Sequence, residues 1–289
     1  MELETLKIFC TVAEEQSVTR AAARLGRVPS NVTTRIQQLE ADMKVEFFVR
    51  TGKRMLLSTS GELLLGYAQR MLALAEETRH VITEGRYGGV LSIGGMESTA
   101  ASRLPPILAT YHSRHPATRV EFRVGTSRQL LEQVRTGQLD CAFLALPRSI
   151  RGKVALKQMG LVAKVVWREE LLLLLPASES GVRRASDIRT RSLAALAPGC
   201  AYRDLAEEWL GITSSTDWKV VEMASYHLTA VSVAVEQCVA LVPKGVVDVL
   251  GVLPGSKTLR VGHTDTCLLS RRGYEVPAFQ HLLLQLDET

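Results

Sequence analysis

The chain has 289 residues, 46% of them apolar and 22% charged. That is enough apolar side chain to build cores, which excludes a disordered polymer, and the length suits one large domain or two to three ordinary ones. The net charge of +5 is too small to identify a polyanionic partner alone, so its distribution matters more. Five scattered cysteines, Cys10, Cys141, Cys200, Cys238 and Cys267, form no Cys-x-x-Cys pair and read as free thiols of a reducing compartment. The start Met1-Glu2-Leu3-Glu4 is unlike a signal peptide, and no apolar run approaches the roughly 20 residues of a membrane helix. A soluble, cytoplasmic protein with no membrane partner is expected.

The first sixty residues carry a compact pattern. A helix is expected over about residues 2–15, with Leu6, Phe9, Cys10 and Ala13 on one apolar face. Ser17 suits the N-cap of a second helix, on which Val18, Ala21, Ala22 and Leu25 repeat the spacing until Gly26. Pro29 suits the first turn of a third helix, about residues 29–42, whose Val32, Ile36 and Leu39 point inward. Ser30, Thr34 and Gln37 then lie on the opposite face, flanked by Asn31 and Gln38. Short polar side chains there can hydrogen-bond base edges in a major groove; an ordinary solvated helix face is the alternative. From Arg20 to Arg35 there are four arginines and no acid, and residues 16–60 hold eight Lys and Arg against Glu40, Asp42 and Glu46. Such a stretch suits DNA phosphates. Residues 47–61 read as a hairpin turning at Thr51-Gly52, anchored by Phe47 and Phe48, with Arg50, Lys53 and Arg54 near its tip for phosphates or a minor groove.

These motifs resemble the winged helix-turn-helix of LysR-type transcriptional regulators. The resemblance rests on Ser17-Val18-Thr19-Arg20-Ala21-Ala22-Ala23-Arg24-Leu25, Val32-Thr33-Thr34-Arg35-Ile36, Gln38-Leu39-Glu40, and Phe47-Phe48-Val49-Arg50-Thr51-Gly52-Lys53-Arg54 running into Leu57-Ser58-Thr59-Ser60-Gly61. Most members have Ser-Gln-Pro-Ala before the recognition helix, where this chain has Val28-Pro29-Ser30-Asn31. The usual glutamine contact is therefore absent, and the variant motif resembles the branch that includes PtrR-type putrescine-utilisation regulators. The resemblance implies that Pro29, Ser30, Asn31, Thr33, Thr34, Arg35, Arg50, Lys53 and Arg54 form the DNA contact surface. Ser30, Asn31 and Thr34 would read bases; Thr33 and the four cations would hold the backbone.

Residues 62–84 read as a linker helix with an apolar heptad seam at Leu64, Ala68, Met71, Ala75, Thr78 and Ile82. The resemblance pairs this helix with its copy, which implies a symmetric homodimer on a near-palindromic double-stranded operator. A tetramer is the family expectation, with RNA polymerase as a further candidate partner. Arg86-Tyr87-Gly88-Gly89 reads as a hinge.

Beyond residue 85 strands alternate with helices, which argues an α/β domain with a parallel sheet. The fold class is thus α/β overall, in three parts: winged helix-turn-helix (1–61), linker (62–84) and a two-lobed, periplasmic-binding-protein-like effector domain (85–289). One lobe is placed at about residues 90–163 and 266–289, the other at about 164–265. One helix is expected from Ser98/Thr99 to about His115. Effector-cleft candidates are Glu97, Ser98, Thr99, Thr126, Ser127, Cys200 and Arg203, each near a strand end and a helix N-terminus. Helix capping is the plain alternative for the hydroxyls, a structural ion pair for Arg203, and a buried small residue rather than a redox sensor for Cys200. Glu97 facing an ammonium and Arg203 a carboxylate would suit an amine- or amino-acid-like effector. Glu236 and Cys238 stand where the family usually has glycines, which questions that helix-to-strand turn.

No metal or cofactor is expected: His112 and His115 share a helix face without a third ligand, and no Ser-His-Asp order, Walker motif or Gly-x-Gly-x-x-Gly occurs. A DNA-binding regulator controlled by a small-molecule effector, not an enzyme, is the reading. A small-molecule binding protein without DNA affinity and an enzyme on the two-lobed fold are the alternatives.

Overall fold

The computed structural model describes residues 2–52, 54–82, 89–150, 152–179, 181–212, 217–251 and 254–288. Lys53 and most of the expected hinge at residues 86–89 lie outside them. The chain divides into two compact units: residues 1–84 and, apart from residues 136–138, residues 85–289.

The first unit begins with α1 (Leu3–Glu15), α2 (Val18–Leu25) and α3 (Pro29–Met43). Ser17 caps α2 by accepting from the Arg20 amide. Gly26 (φ +65°) ends it, with Arg27 N–H donating to Ala22 O at 2.9 Å. The antiparallel hairpin β1 (Phe48–Thr51) and β2 (Arg54–Leu57) follows. It is fastened twice. Glu40 Oε1 accepts from the Phe47 and Phe48 amides at 2.8 and 3.2 Å, and Phe9, fully buried, packs against both phenyl rings at centroid distances of 5.7 and 5.2 Å.

The long helix α4 spans Thr59–Ile82, starting three residues before the expected Glu62. Ser58 Oγ accepts from the Gly61 amide, a capping contact the sequence reading overlooked. Gly61 is required here, because a Cβ would lie 2.1 Å from Phe47 O. The expected seam divides: Leu64 and Ala68 are buried in the unit's own core, with Met71 packed partly against it. A different stripe of α4, Leu63, Tyr67, Leu74 and Val81, is exposed.

The second unit contains β3 (Gly89–Gly95), α5 (Glu97–Ser102), α6 (Leu104–Arg114), β4 (Thr118–Val124), α7 (Ser127–Thr136), β5 (Cys141–Leu144), α8 (Lys153–Gln158) and β6 (Leu161–Pro176). Then come β7 (Ser192–Ala195), α9 (Ala201–Trp209), β8 (Lys219–Glu222), α10 (Tyr226–Ala234), β9 (Ala240–Pro243), α11 (Lys244–Leu250), β10 (Ser256–Arg271) and α12 (Pro277–Asp287). The expected single helix over residues 98–115 is two. The break falls at Arg103, before Leu104-Pro105-Pro106, where the prolines lack the amides a continuous helix needs.

The expected parallel sheet is mixed. Strand order is β4-β3-β5-β10-β6-β9, with β3 parallel to β4 and β5, while β10 and β6 run antiparallel to their neighbours. The cause is the pair β6 and β10, in antiparallel register from Leu161↔Arg271 to Pro176↔Ser256. One end of the pair meets β5 (Cys267↔Leu144 to Ser270↔Cys141); the other meets β9 (Leu171↔Pro243 to Leu174↔Ala240). Parallel β7 and β8 join β9 through the Leu193↔Val239 bridge. Two lobes thus share two continuous strands. Buried residues form two clusters: Leu91, Ile93, Tyr111, Phe143 and Phe279 lie in one within the first lobe, while the other runs across both lobes, from Leu130, Leu139 and Leu144 to Leu193, Tyr202, Val233 and Val239.

Candidate nucleic-acid interface and inter-lobe site

The N-terminal surface is built on α3 and the hairpin. Burial of Val32, Ile36 and Leu39 turns the opposite face outward, and Pro29, Ser30, Asn31 and Thr34 are exposed. No side chain caps α3, so its N-terminus is open to an anion. Thr33 is half-buried and its hydroxyl donates to Pro29 O at 3.0 Å.

The arginines fall into two groups. In sequence, residues 20–35 contain no acid; in the fold, acids of α1 and its flank reach them. Arg24 meets Glu14 and Glu15, Arg20 meets Glu15, Arg27 meets Glu4, and Arg35 meets Glu2 at 3.1 Å. Arg50 and Arg54 at the hairpin are exposed and have no carboxylate partner among the described residues. Charge available to phosphate is therefore concentrated on the hairpin. A groove of about 430 Å³, lined by Thr33, Gln37, Glu40 and Arg50 among others, separates it from α3.

The inter-lobe candidates divide differently. Thr126 forms a capping box with Gln129: its Oγ1 accepts from the Gln129 amide while Gln129 Oε1 accepts from the Thr126 amide at 3.0 Å. Ser127 is fully buried and donates to Met96 Sδ. Ser98 and Thr99 lie inside the first turn of α5, whose N-cap is Met96, so neither is the cap expected from the sequence. Cys200 is the N-cap residue of α9 and is buried; its side chain makes no capping hydrogen bond, and burial pushes its pKa up. Burial likewise raises the other four thiols, so none is the thiolate a redox sensor needs.

The expected pair of charges is already occupied. Arg203 Nε donates to Glu207 Oε1 at 2.8 Å and Nη1 to Leu196 O at 3.2 Å, with Glu222 at 3.7 Å. Arg203 is thus held by an ion pair within its own lobe. Glu97 Oε1 accepts from the Tyr226 amide at 2.9 Å, which ties α5 of one lobe to the N-terminus of α10 in the other. Arg128 N–H donating to Gly199 O is a second tie between the lobes. Gly199 is in the left-handed region (φ +92°) and approaches closely enough that a Cβ would lie 3.2 Å from Thr126 Oγ1.

Four further residues escaped the sequence reading. Tyr202 and Tyr226 are buried beside Glu97, Ser98 and Cys200, and burial pushes both phenols above their ordinary range. Arg103 grips the buried Glu169 through Nε–Oε1 at 2.9 Å and Nη2–Oε2 at 3.0 Å. Gly-Cys-x-Tyr-Arg at residues 199–203 was the visible signal for Tyr202; nothing local marked the others.

An open helix-turn-helix with a cationic wing and a two-lobed α/β domain define a ligand-responsive transcriptional regulator. The chain belongs to the LysR family: residues 3–62 match the bacterial regulatory helix-turn-helix protein of the lysR family, and residues 84–289 match the LysR substrate binding domain. Among relatives, the uncharacterized HTH-type transcriptional regulator YusT of Bacillus subtilis strain 168 is 34% identical over 249 residues, covering 86% of this chain and 81% of the relative. GltR of the same organism is 29% identical over 248 residues, with 86% and 81% covered. CbnR complexed with its target DNA superposes with a TM-score of 0.65 at 20% identity over 100% of this chain and 99% of that one. Full-length OxyR from Pseudomonas aeruginosa gives 0.72 at 22% identity, with 99% and 94% covered. The protein is a DNA-binding transcriptional regulator with an effector-binding domain, and its relatives are regulators, not enzymes. Among the described residues no helix is long and apolar enough to cross a membrane.

Proposed function

We propose that the chain binds a near-palindromic operator as a homodimer, itself able to pair into a tetramer, and that a small molecule between the lobes sets its action on transcription, with RNA polymerase as a further partner. One observation carries the DNA part: an uncapped, exposed α3 N-terminus stands beside a hairpin whose Arg50 and Arg54 have no carboxylate partner among the described residues. Ser30, Asn31 and Thr34 read base edges; Arg50, Arg54 and Lys53 hold phosphates. Arg35 joins them once DNA competes with Glu2. The dimer seam is Leu63, Tyr67, Leu74 and Val81, exposed at steps of four and seven along α4.

The named relatives give no support to the PtrR-type placement. For an amine- or amino-acid-like effector, Glu97 offers a carboxylate that accepts one backbone amide, whereas Arg203 would have to leave Glu207. The test is selection of genomic fragments by the purified chain at about 0.15 M salt, where non-specific binding is weakened. A two-half-site sequence should be enriched, with half-sites one helical turn or a multiple apart. No enriched sequence, with or without metabolite extract, would overturn the proposal.

A further inference from the structure

We propose that Glu2 and Glu4 determine specificity: their carboxylates hold Arg35 and Arg27 in the place of DNA phosphate and release them only where base contacts also form. This rests on the reading of α3 and the hairpin as the DNA surface, and it names two residues at the start of α1 that set how well that surface tells the operator from other sequences.

Three observations support it. The first is that both acids come from one place. Glu2 is the N-cap residue of α1 and Glu4 lies in its first turn, where the helix N-terminus favours negative charge. They reach across 33 and 23 residues of sequence: Glu2 Oε2 accepts from Arg35 Nη1 at 3.1 Å, and Glu4 Oε1 from Arg27 Nη2 at 2.6 Å. The second is what they hold. Arg35 lies on α3, next to Thr34, and Arg27 stands two residues before Pro29, where α3 begins. Arg27 Nη1 donates to Asn31 Oδ1 at 3.3 Å, so the Glu4–Arg27 pair also engages an acceptor expected to read bases. The third is exposure. The side chains of Glu2 and Glu4 are 69% and 49% exposed, and those of Arg35 and Arg27 40% and 34%, so both pairs face water. Ion pairs there are weak enough for a phosphate to displace the carboxylate.

Non-specific binding is almost wholly electrostatic attraction to phosphates. Arg50 and Arg54, without carboxylate partners among the described residues, serve any sequence. Arg27 and Arg35 serve it poorly while paired, since a loosely placed duplex gains too little to displace Glu2 and Glu4. On the operator, Ser30, Asn31 and Thr34 bring α3 against the bases, and the phosphates beside it then exchange with both carboxylates. The two acids weaken every complex, but the wrong ones more, and specificity is that difference.

The test compares the full wild-type chain with Glu2→Gln/Glu4→Gln on the enriched operator and on a random-sequence duplex of equal length. Asp42→Asn/Glu46→Gln is the control. It removes the same charge from the same unit, at acids that pair with none of Arg20, Arg24, Arg27 and Arg35 among the described residues. All four acids are exposed, so the fold is kept. Glu2→Gln/Glu4→Gln should bind the random duplex about tenfold more tightly, with the slope of log K against log salt steeper by about 3–4 as four arginines per dimer come free. Its operator affinity should rise by less than about threefold, and the control should move neither affinity by more than that. Equal gains on both duplexes, no gain on the random duplex, or the same gain in the control would overturn the proposal. If wild type itself does not prefer the operator, the DNA-surface reading fails and the proposal falls with it.

Discussion

The two units hold charge in opposite ways. At the hairpin, Arg50 and Arg54 stand free in solvent, and the recognition helix begins without a cap. Between the lobes, three charged groups are bonded within the chain: Glu97 to the Tyr226 amide, Arg203 to Glu207 and Leu196 O, Arg103 to Glu169. Two arginines of the first surface are without carboxylate partners among the described residues; the named groups of the second are already bonded. A ligand that binds only the opened arrangement shifts the balance by its difference in affinity for the two states. On the DNA side, Arg50 and Arg54 need no such opening, while Arg35 must first leave Glu2.

The largest effect should come from the contact that holds the wing. Phe9→Ala removes a fully buried ring from between Phe47 and Phe48 and should cost about 3–5 kcal/mol, lowering the urea midpoint of the first unit and abolishing operator binding. Retained DNA affinity would show that the wing is not positioned by this core. Next, Arg103→Ala strands the buried Glu169 carboxylate and should cost about 2–3 kcal/mol, reduced from the fully buried case because Arg103 is 38% exposed. Unchanged stability with a lost effector response would instead make Arg103 a binding residue, and the contrast between the units would fail. The smallest effect concerns Glu236, which sits at φ +61° where the family usually has glycine. Glu236→Gly should stabilise the second unit by about 1 kcal/mol in a thermal melt, by relieving a left-handed conformation.

That last residue also shows what sequence could not decide. The missing glycine raised doubt about the turn after α10, yet the backbone keeps the glycine-like geometry: Gln237 N–H reaches Ser232 O and Glu236 N–H reaches Val233 O. Packing of the surrounding lobe outweighs one unfavourable residue. The first unit was legible because its signals are local: a cap at Ser17, a stop at Gly26, and inward spacing of Val32, Ile36 and Leu39. The pairing of Arg27 and Arg35 with Glu4 and Glu2 was not, since the helices bring together charges that are separated in sequence. The same holds for Glu97 and Tyr226, 129 residues apart, and for Arg103 and Glu169, 66 apart. β10 escaped notice because it is continuously buried only from Thr266 to Ser270, and its earlier residues show no clean alternation. The break at Arg103 could have been read from Pro105-Pro106.

The most direct measurement is the salt dependence of operator binding by three proteins: wild type, Arg50→Ala/Arg54→Ala and Arg20→Ala/Arg24→Ala. If the free hairpin arginines hold phosphates, the first double variant loses four contacts per dimer, and the slope of log K against log salt becomes shallower by about 3–4. The second pair, already matched by Glu14 and Glu15, should change the slope by less than about 1. An unchanged slope in the hairpin variant, or a larger change in the α2 variant, would contradict the account.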